Sequence, residues 1–422
     1  VTVLQTRIEP ANTAHRPFDS VIVLVVGALM GLGVVMVYSA SATVRGAAFD
    51  WRQWWNTPLK QGVFAFAGFL VMLTAAHMDY HTLAWRKRGD GWRAGGLAAA
   101  ATLLLLAVLV PGIGHDALGA RRQIPIPGLG FGFQPSEIAK VVIVIWLAAL
   151  LSRPTGQKRG GRFPVGGAPR DPAALPPGDI RDLRTGFAPA VLSCGAMIAL
   201  TALEDFGTAA LMGAVLVMLL LSAGARWLHV LALGGAGLLG GIGLIAMAPY
   251  RRERIMTFFS ETPDLLGGGY QVHQGLLAIG SGGWWGRGLG AGVQKYGYVP
   301  QDHNDFILAI ICEELGVVGA CFVIGLFVVL LWRGWRIAAR APDPFGQLLA
   351  LGLTLMIGLQ AAFNIAVVTN SVPTKGISLP FVSAGGSGVV FLGAAAGLLA
   401  SIGRRCGAGG TEAAMRPSRR RA

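Results

Sequence analysis

The stretch VPQDHNDFILAIICEELGVVG, Val299 to Gly319, changes character halfway along. Its first half is polar and ends in the cluster Asp302, His303, Asn304 and Asp305; from Phe306 onward the chain is an apolar helix-like run reaching about residue 332. Roughly 17 to 25 apolar residues carry a helix across a ~30 Å hydrocarbon layer, so this run reads as a membrane span that begins beside a carboxylate. Stretches of the same kind recur along the chain, near 20–41, 60–77, 95–112, 135–152, 187–203, 207–223, 227–248, 305–332, 346–368 and 383–402. The expected fold is therefore an all-α polytopic membrane protein of ten transmembrane helices. Asp305 sits where a loop meets the membrane, and its residue type suits a catalyst, part of a transport path or a helix cap.

Composition supports this reading. The 422 residues are 53% hydrophobic and only 13% charged, with a mean hydropathy of +0.58, more apolar side chain than one soluble core buries. Lys and Arg fall on one side of the predicted spans in an excess of about two to one, which places both termini in the cytoplasm. The net charge of +14 gathers in short loops flanking the spans, as at Arg86-Lys87-Arg88 and from Arg333 to Arg340. That pattern fits lipid headgroups and not nucleic acid. The first span is too long for a cleaved signal peptide and reads as a retained anchor. Cys194, Cys312 and Cys321 fall within spans and Cys406 in the tail, so no disulfide framework is expected.

In chain order, a polar arm (1–19) precedes the membrane domain (20–402), and a basic tail (403–422) follows it. Span 1 ends in YSAS, small residues that permit close helix approach, and Trp51, Trp54 and Trp55 mark an interfacial loop. The outer loop GHDALGARRQIPIPGLGFGFQ leads to Pro135 at the first turn of span 4. Glu137 and Lys140 then lie three apart on one face, as a structural clamp or as functional charges at the outer surface. Arg121 and Arg122, just outside, suit phosphate binding or snorkelling. A Pro- and Gly-rich cytoplasmic linker spans 153–186, and Glu204 and Asp205 between spans 5 and 6 either face a shared cavity or cap span 6.

The long outer segment, 249–304, lies between spans 7 and 8. It opens with YRRERIMTFF, which mixes aromatics with Arg251, Arg252 and Arg254 and reads as an interfacial helix. A Gly-rich part follows that lacks the strand and GK[ST] of a nucleotide loop. Glu313 and Glu314 lie deep in span 8, with Gln360 and Asn364, four apart on span 9, as candidate partners. The hairpin SVPTKGISLPFVSAGGSG offers one cation, Lys375. Metal spacings of the HExxH or CxxC type and internal repeats are lacking.

Taken together, YSAS, QPSEIAK, EDFGTA, YRRERIMTFF, GYQVHQGLLAIGSGGWWGRGLG, HNDFILAIICEELG and PTKGISLPFVSAGGS resemble, in order and over most of the chain, the SEDS family of shape, elongation, division and sporulation proteins. That family includes RodA, FtsW and SpoVE, and the PTKG hairpin is more like the division member FtsW than the elongation member RodA. Its members are peptidoglycan glycosyltransferases that polymerise lipid II on the outer face of the cytoplasmic membrane. The family's essential aspartate, in an H-T-D-F motif, falls on Asp305. Departures are Asn304 for the threonine, Gln123 for a tryptophan, Ala384 for the tyrosine of SYGGS, and no proline before Asp205.

The resemblance implies an inverting reaction in which Asp305 takes a proton from the acceptor sugar as it attacks the donor. Partial desolvation at the membrane surface would make that carboxylate more basic. Arg121, Arg122, Arg251, Arg252, Lys375 and a divalent cation such as Mg or Mn are candidates for the leaving pyrophosphate, and His303, Glu137 and Lys140 for shaping the substrate site. It also implies a class B penicillin-binding protein, a transpeptidase, as partner, together with other division proteins and a septal location. A lipid II flippase or other transporter, with Glu137, Lys140, Glu313 and Arg121 along a path, is the alternative from another class; a non-catalytic scaffold is a third.

Overall fold

Each of the ten apolar stretches contains an α-helix in the computed structural model, which describes residues 18–41, 58–84, 92–112, 114–117, 120–126, 131–153, 179–260, 269–294, 305–374 and 376–414. In chain order these are α1 (Ser20–Ser41), α2 (Pro58–His77), α3 (Trp92–Leu109), α4 (Pro135–Leu151), α5 (Ala188–Glu204), α6 (Phe206–Ser222) and α7 (Trp227–Ala246). Two helices of the outer segment follow, α8 (Pro249–Phe259) and α9 (Tyr270–Gly282), and then α10 (Ile307–Arg340), α11 (Pro344–Val368) and α12 (Ser387–Ala414). Seven helical segments are long and apolar enough to cross a membrane, while Arg93–Leu109 and Phe206–Ser222 are apolar but shorter. The chain is a multi-pass membrane protein. The last helix continues to Ala414, beyond the predicted limit at 402.

The expectation of an all-α protein needs one correction. The outer loop between α3 and α4 forms a three-stranded antiparallel sheet, β1 (His115–Ala117), β2 (Ala120–Ile126) and β3 (Phe131–Phe133). Its pairs run His115 to Gln123 and Ile124 to Phe133. Gly and Pro make this loop look unstructured, yet Pro125 of β2 and Gly132 of β3 lie opposite each other within the paired strands. The meander is pinned to the bundle by Phe133, whose ring meets Phe391 of α12 edge-on at 5.6 Å.

Burial divides the helices by role. Nearly every residue of α4 is buried, including Glu137 and Lys140, and α11 is buried along most of its length. By contrast, α7 buries only Val230. Backbones approach closely where side chains are smallest: a Cβ on Gly393 of α12 would strike the carbonyl of Gly68 in α2.

The helix that begins beside Asp305 is interrupted. Gly316 has φ 70° and ψ −169°, a conformation that breaks α10 and that glycine alone adopts without strain. The chain after α9 fills the break. Arg287 and Gly288 N–H donate to the Glu313 and Glu314 carbonyls at 2.9 and 3.0 Å, and Val317 and Val318 N–H donate to the Gly283 and Trp284 carbonyls at 3.0 and 3.2 Å. Backbone groups that a broken span would leave without partners are thereby satisfied from outside the helix. No side chain fits between the two backbones, since a Cβ on Gly286 or Gly316 would overlap the opposing chain.

Candidate active site

Asp305 is half-buried at the N-terminal end of α10, and Phe306 behind it is buried. Three elements fix its position. Asn364 of α11 donates from Nδ2 to the Asp305 carbonyl at 2.8 Å and to the Ile377 carbonyl at 2.7 Å, tying the start of α10 to the hairpin between α11 and α12. Gly376 of that hairpin lies against the carboxylate: a Cβ there would stand 3.0 Å from Asp305 Oδ2. On the third side α9 packs so closely that a Cβ on Gly275 would meet the Phe306 ring at 2.8 Å.

The hairpin is held from below by a chain of buried polar groups. Glu137 and Lys140 form the predicted ion pair, 2.9 Å between Oε1 and Nζ. Lys140 also donates to Gln360 Oε1 at 2.9 Å, and Gln360 Nε2 donates to the Ser378 carbonyl at 3.0 Å. Gln360 and Asn364, expected to serve Glu313 and Glu314, are thus spent on Lys140 and on the backbone around Asp305. Phe381, further along the same hairpin, is buried in the left-handed region at φ 65°. A bulky residue is costly there and persists only where its surroundings hold it.

Glu313 and Glu314 find other partners. Glu313 accepts from the backbone N–H of Val293 at 2.7 Å and of Gln294 at 3.2 Å, with Arg287 Nη1 at 3.8 Å. Glu314 accepts the Ser39 hydroxyl of α1 at 2.7 Å. Both glutamates therefore anchor structure, one holding the loop that fills the break in α10 and the other holding α1.

The arginines have separate duties. Arg122 on β2 donates to the Glu204 carbonyl at 3.0 Å. Arg251 donates to the Ala202 carbonyl at 3.1 Å and lies over the Phe206 ring at 5.7 Å. Both cations thus sit on the C-terminal carbonyls of α5, where the helix dipole favours them. Arg252 is exposed. Asp205 caps α6, accepting from Gly207 and Thr208 N–H at 3.0 and 3.2 Å. Of the other predicted residues, Arg121 lies on β2 opposite Asp116, while His303 and Lys375 lie outside the described residues.

A cavity of about 240 Å³ opens between α8, α9 and the hairpin, lined by Arg254, Thr257, His273, Asn370 and Thr374 among others. Two of the three elements around it, α9 and the hairpin, are the ones that flank Asp305. Arg254 Nη1 donates to the Thr374 carbonyl at 3.2 Å, two residues from Gly376. Arg254 was read only as part of an interfacial helix and His273 was not singled out, although for His273 a signal existed: Gly269, Val272, His273 and Leu276 follow the spacing of one helix face, and all four line this cavity. Among the described residues no three His, Cys, Asp or Glu side chains converge on a metal site. Arg254 supplies the positive charge among the described residues that line the cavity.

The family model of the cell cycle proteins FtsW, RodA and SpoVE matches residues 19–406. The chain is 38% identical over 389 residues to a probable peptidoglycan glycosyltransferase FtsW of Geobacter sp. (strain M18), covering 92% of this chain and 97% of that one. It is 37% identical over 388 residues to stage V sporulation protein E of Bacillus subtilis (strain 168), again covering 92% and 97%. Among solved structures, the rod shape determining protein RodA of Thermus thermophilus superposes with a TM-score of 0.60 at 25% identity, over 94% of this chain and 98% of that one. A chain of a peptidoglycan synthase complex, described as coordinating polymerization and crosslinking, matches with a TM-score of 0.66 at 25% identity, over 92% and 98%.

Proposed function

The chain belongs to the cell cycle protein family of FtsW, RodA and SpoVE, and from that premise we propose that it is a peptidoglycan glycosyltransferase that polymerises lipid II, with Asp305 as the general base. The observation that carries this reading is the position of one carboxylate. Asp305 stands where the start of α10, the hairpin and α9 meet, and the hairpin and α9 also border the cavity lined by Arg254 and His273. In the proposed orientation all ten apolar helices cross the cytoplasmic membrane, both termini are cytoplasmic, and Asp305 lies at the outer surface.

Asp305 accepts the proton of the acceptor sugar's 4-hydroxyl as that oxygen attacks the anomeric carbon of the donor. A new glycosidic bond forms, the bond to pyrophosphate breaks, and undecaprenyl pyrophosphate leaves with its electron pair. Direct displacement inverts the anomeric centre. Arg254, facing the cavity, and the exposed Arg252 provide positive charge for the departing pyrophosphate. Arg121, His303 and Lys375, which the sequence assigns to the outer loops, remain proposed substrate contacts. Arg122, Arg251, Glu137 and Lys140 act indirectly, by fixing the end of α5 and the hairpin. The described donor set does not amount to a metal site, and no step here depends on a cation.

The relatives named FtsW support a role at the division septum. The matched synthase complex, with its coupled polymerization and crosslinking, supports a class B penicillin-binding transpeptidase as partner alongside other division proteins. The deciding experiment is lipid II polymerisation by purified protein. Asp305→Asn should lower glycan synthesis by about 10²- to 10⁴-fold with the fold retained. Unchanged polymer would end the proposal, and lipid II crossing a reconstituted bilayer without polymer would transfer the chain to the transporter class.

A further inference from the structure

The end of α10 remote from Asp305 closes in WRGWRIAAR, 332–340. There the last turns of α10, the start of α1 and the end of α12 enclose a second cavity, of about 200 Å³. Four guanidinium groups line it, those of Arg333, Arg336, Arg340 and Arg404, with a single carboxylate, Asp19. That carboxylate is engaged by Arg333 through one oxygen: Arg333 Nε and Nη2 both lie on Asp19 Oδ2, at 2.8 and 2.7 Å, while the buried Oδ1 accepts no hydrogen bond.

The other acids of this end face other groups. Asp79 pairs with Arg405 at 2.8 Å. Asp343 accepts the Tyr80 hydroxyl at 2.6 Å and lies 3.2 Å from His81 Nε2. Among the described residues no carboxylate pairs with Arg336, Arg340 or Arg404, and Arg404 donates only to the His77 carbonyl, at 3.4 Å. Three like charges around one cavity repel unless an anion stands among them.

The surroundings indicate where that anion comes from. Val21, on the cavity wall, is exposed, as are Leu24 below it and Trp332 and Trp335 on α10. Arg336 lies over the Trp332 ring at 4.6 Å. Exposed tryptophan beside arginine marks the level of lipid headgroups, and apolar exposure next to it marks the level of acyl chains. We propose that this cavity binds the phosphodiester of an anionic membrane lipid in the leaflet opposite Asp305. Guanidinium forks match phosphate oxygens in pairs, and three arginines without a carboxylate partner among the described residues disfavour a headgroup that carries its own ammonium.

The test uses the full chain in detergent, titrated with phosphatidylglycerol or phosphatidylcholine, with bound lipid counted by native mass spectrometry. The unmodified protein should retain phosphatidylglycerol selectively. Each arginine removed should weaken retention about five-fold, and Arg336→Ala combined with Arg340→Ala about twenty-five-fold. Arg184→Ala with Arg226→Ala, an equal charge change on the same side, should leave retention unaltered. Should the paired variant not fold, Arg404→Gln gives the same reading at about five-fold. Equal retention of the two lipids, equal loss in the Arg184 and Arg226 control, or occupancy by millimolar inorganic phosphate with no lipid selectivity would each overturn the assignment.

Discussion

The two ends of α10 use charge in opposite ways. At the Asp305 end, polar side chains hold irregular backbone: Asn364 and Gln360 grip hairpin carbonyls, and Glu313 grips the N–H groups of the loop that fills the helix break. At the Arg340 end, carboxylates are matched to cations or hydroxyls, as in Asp19 with Arg333 and Asp343 with Tyr80, and arginine is left over. One end spends its polar groups on geometry and the other on charge balance. A site that must hold a carboxylate against a substrate needs the first arrangement, because the hairpin and loop have no regular ladder of their own.

The largest effect should follow from removing the buried Glu137–Lys140 ion pair at the site end. Lys140→Met would leave Glu137 buried without its cation and release Gln360 from its lysine partner. We expect a loss of about 3–5 kcal/mol, read as a lower thermal midpoint in detergent, with glycan synthesis falling alongside. Adding Glu137→Gln should restore most of the stability, since a neutral pair leaves no charge uncompensated. A single variant as stable as the parent would refute the view that this end is built on buried charge.

A smaller effect is expected at Glu313. In Glu313→Gln an amide oxygen still faces the Val293 and Gln294 N–H groups, so the bonds weaken without vanishing, at about 1–2 kcal/mol. Because that carboxylate holds the loop lodged in the break of α10, polymerisation should drop about ten-fold, equivalent to ~1.4 kcal/mol of misplacement. The discriminating observation is faster protease cleavage between residues 283 and 294. Full activity with unchanged cleavage would mean that the loop is held without Glu313.

Much of this was legible in the sequence, for reasons that differ from residue to residue. Apolar length alone located the helices of the ten apolar stretches, since a membrane requires nearly unbroken apolar runs, whereas α9, which has no such run, was not expected. Glu137 and Lys140 were readable as a pair because i,i+3 spacing is a property of the helix itself. The partners of Gln360 and Asn364 were not, because those side chains answer to hairpin carbonyls that no periodicity reveals. The interruption at Gly316 was hidden for a similar reason: its partners, Gly283 to Gly288, lie about thirty residues earlier in the chain and recognise it through backbone groups. The β-meander was missed because its strands are short and its Gly and Pro content imitates a loop. Asp205 kept two readings in the sequence, and its bonds to Gly207 and Thr208 settle it as a cap.

The smallest effect belongs to the far end and tests the other half of the comparison. Burial works to raise the Asp79 carboxyl, but the His81 N–H, the His81 ring and the Arg405 guanidinium together outweigh it and hold the group below its ordinary value. A carboxyl depressed in the folded state stabilises fully above its unfolded pKa, and that contribution fades as pH falls through the folded one. The acid limb of the stability curve, below about pH 4, is therefore where Asp79→Asn should differ in slope from the parent. Above that limb the variant should be uniformly weaker, by less than about 1 kcal/mol because Asp79 and Arg405 are both more than a third exposed and water screens their attraction. If the difference persisted undiminished at pH 2, the Asp79 charge would not be its source. Asp79 and Arg405 are an ion pair at nearly the same distance as Glu137 and Lys140, yet the expected costs differ several-fold. Burial separates them, and burial is what the Asp305 end adds to charge.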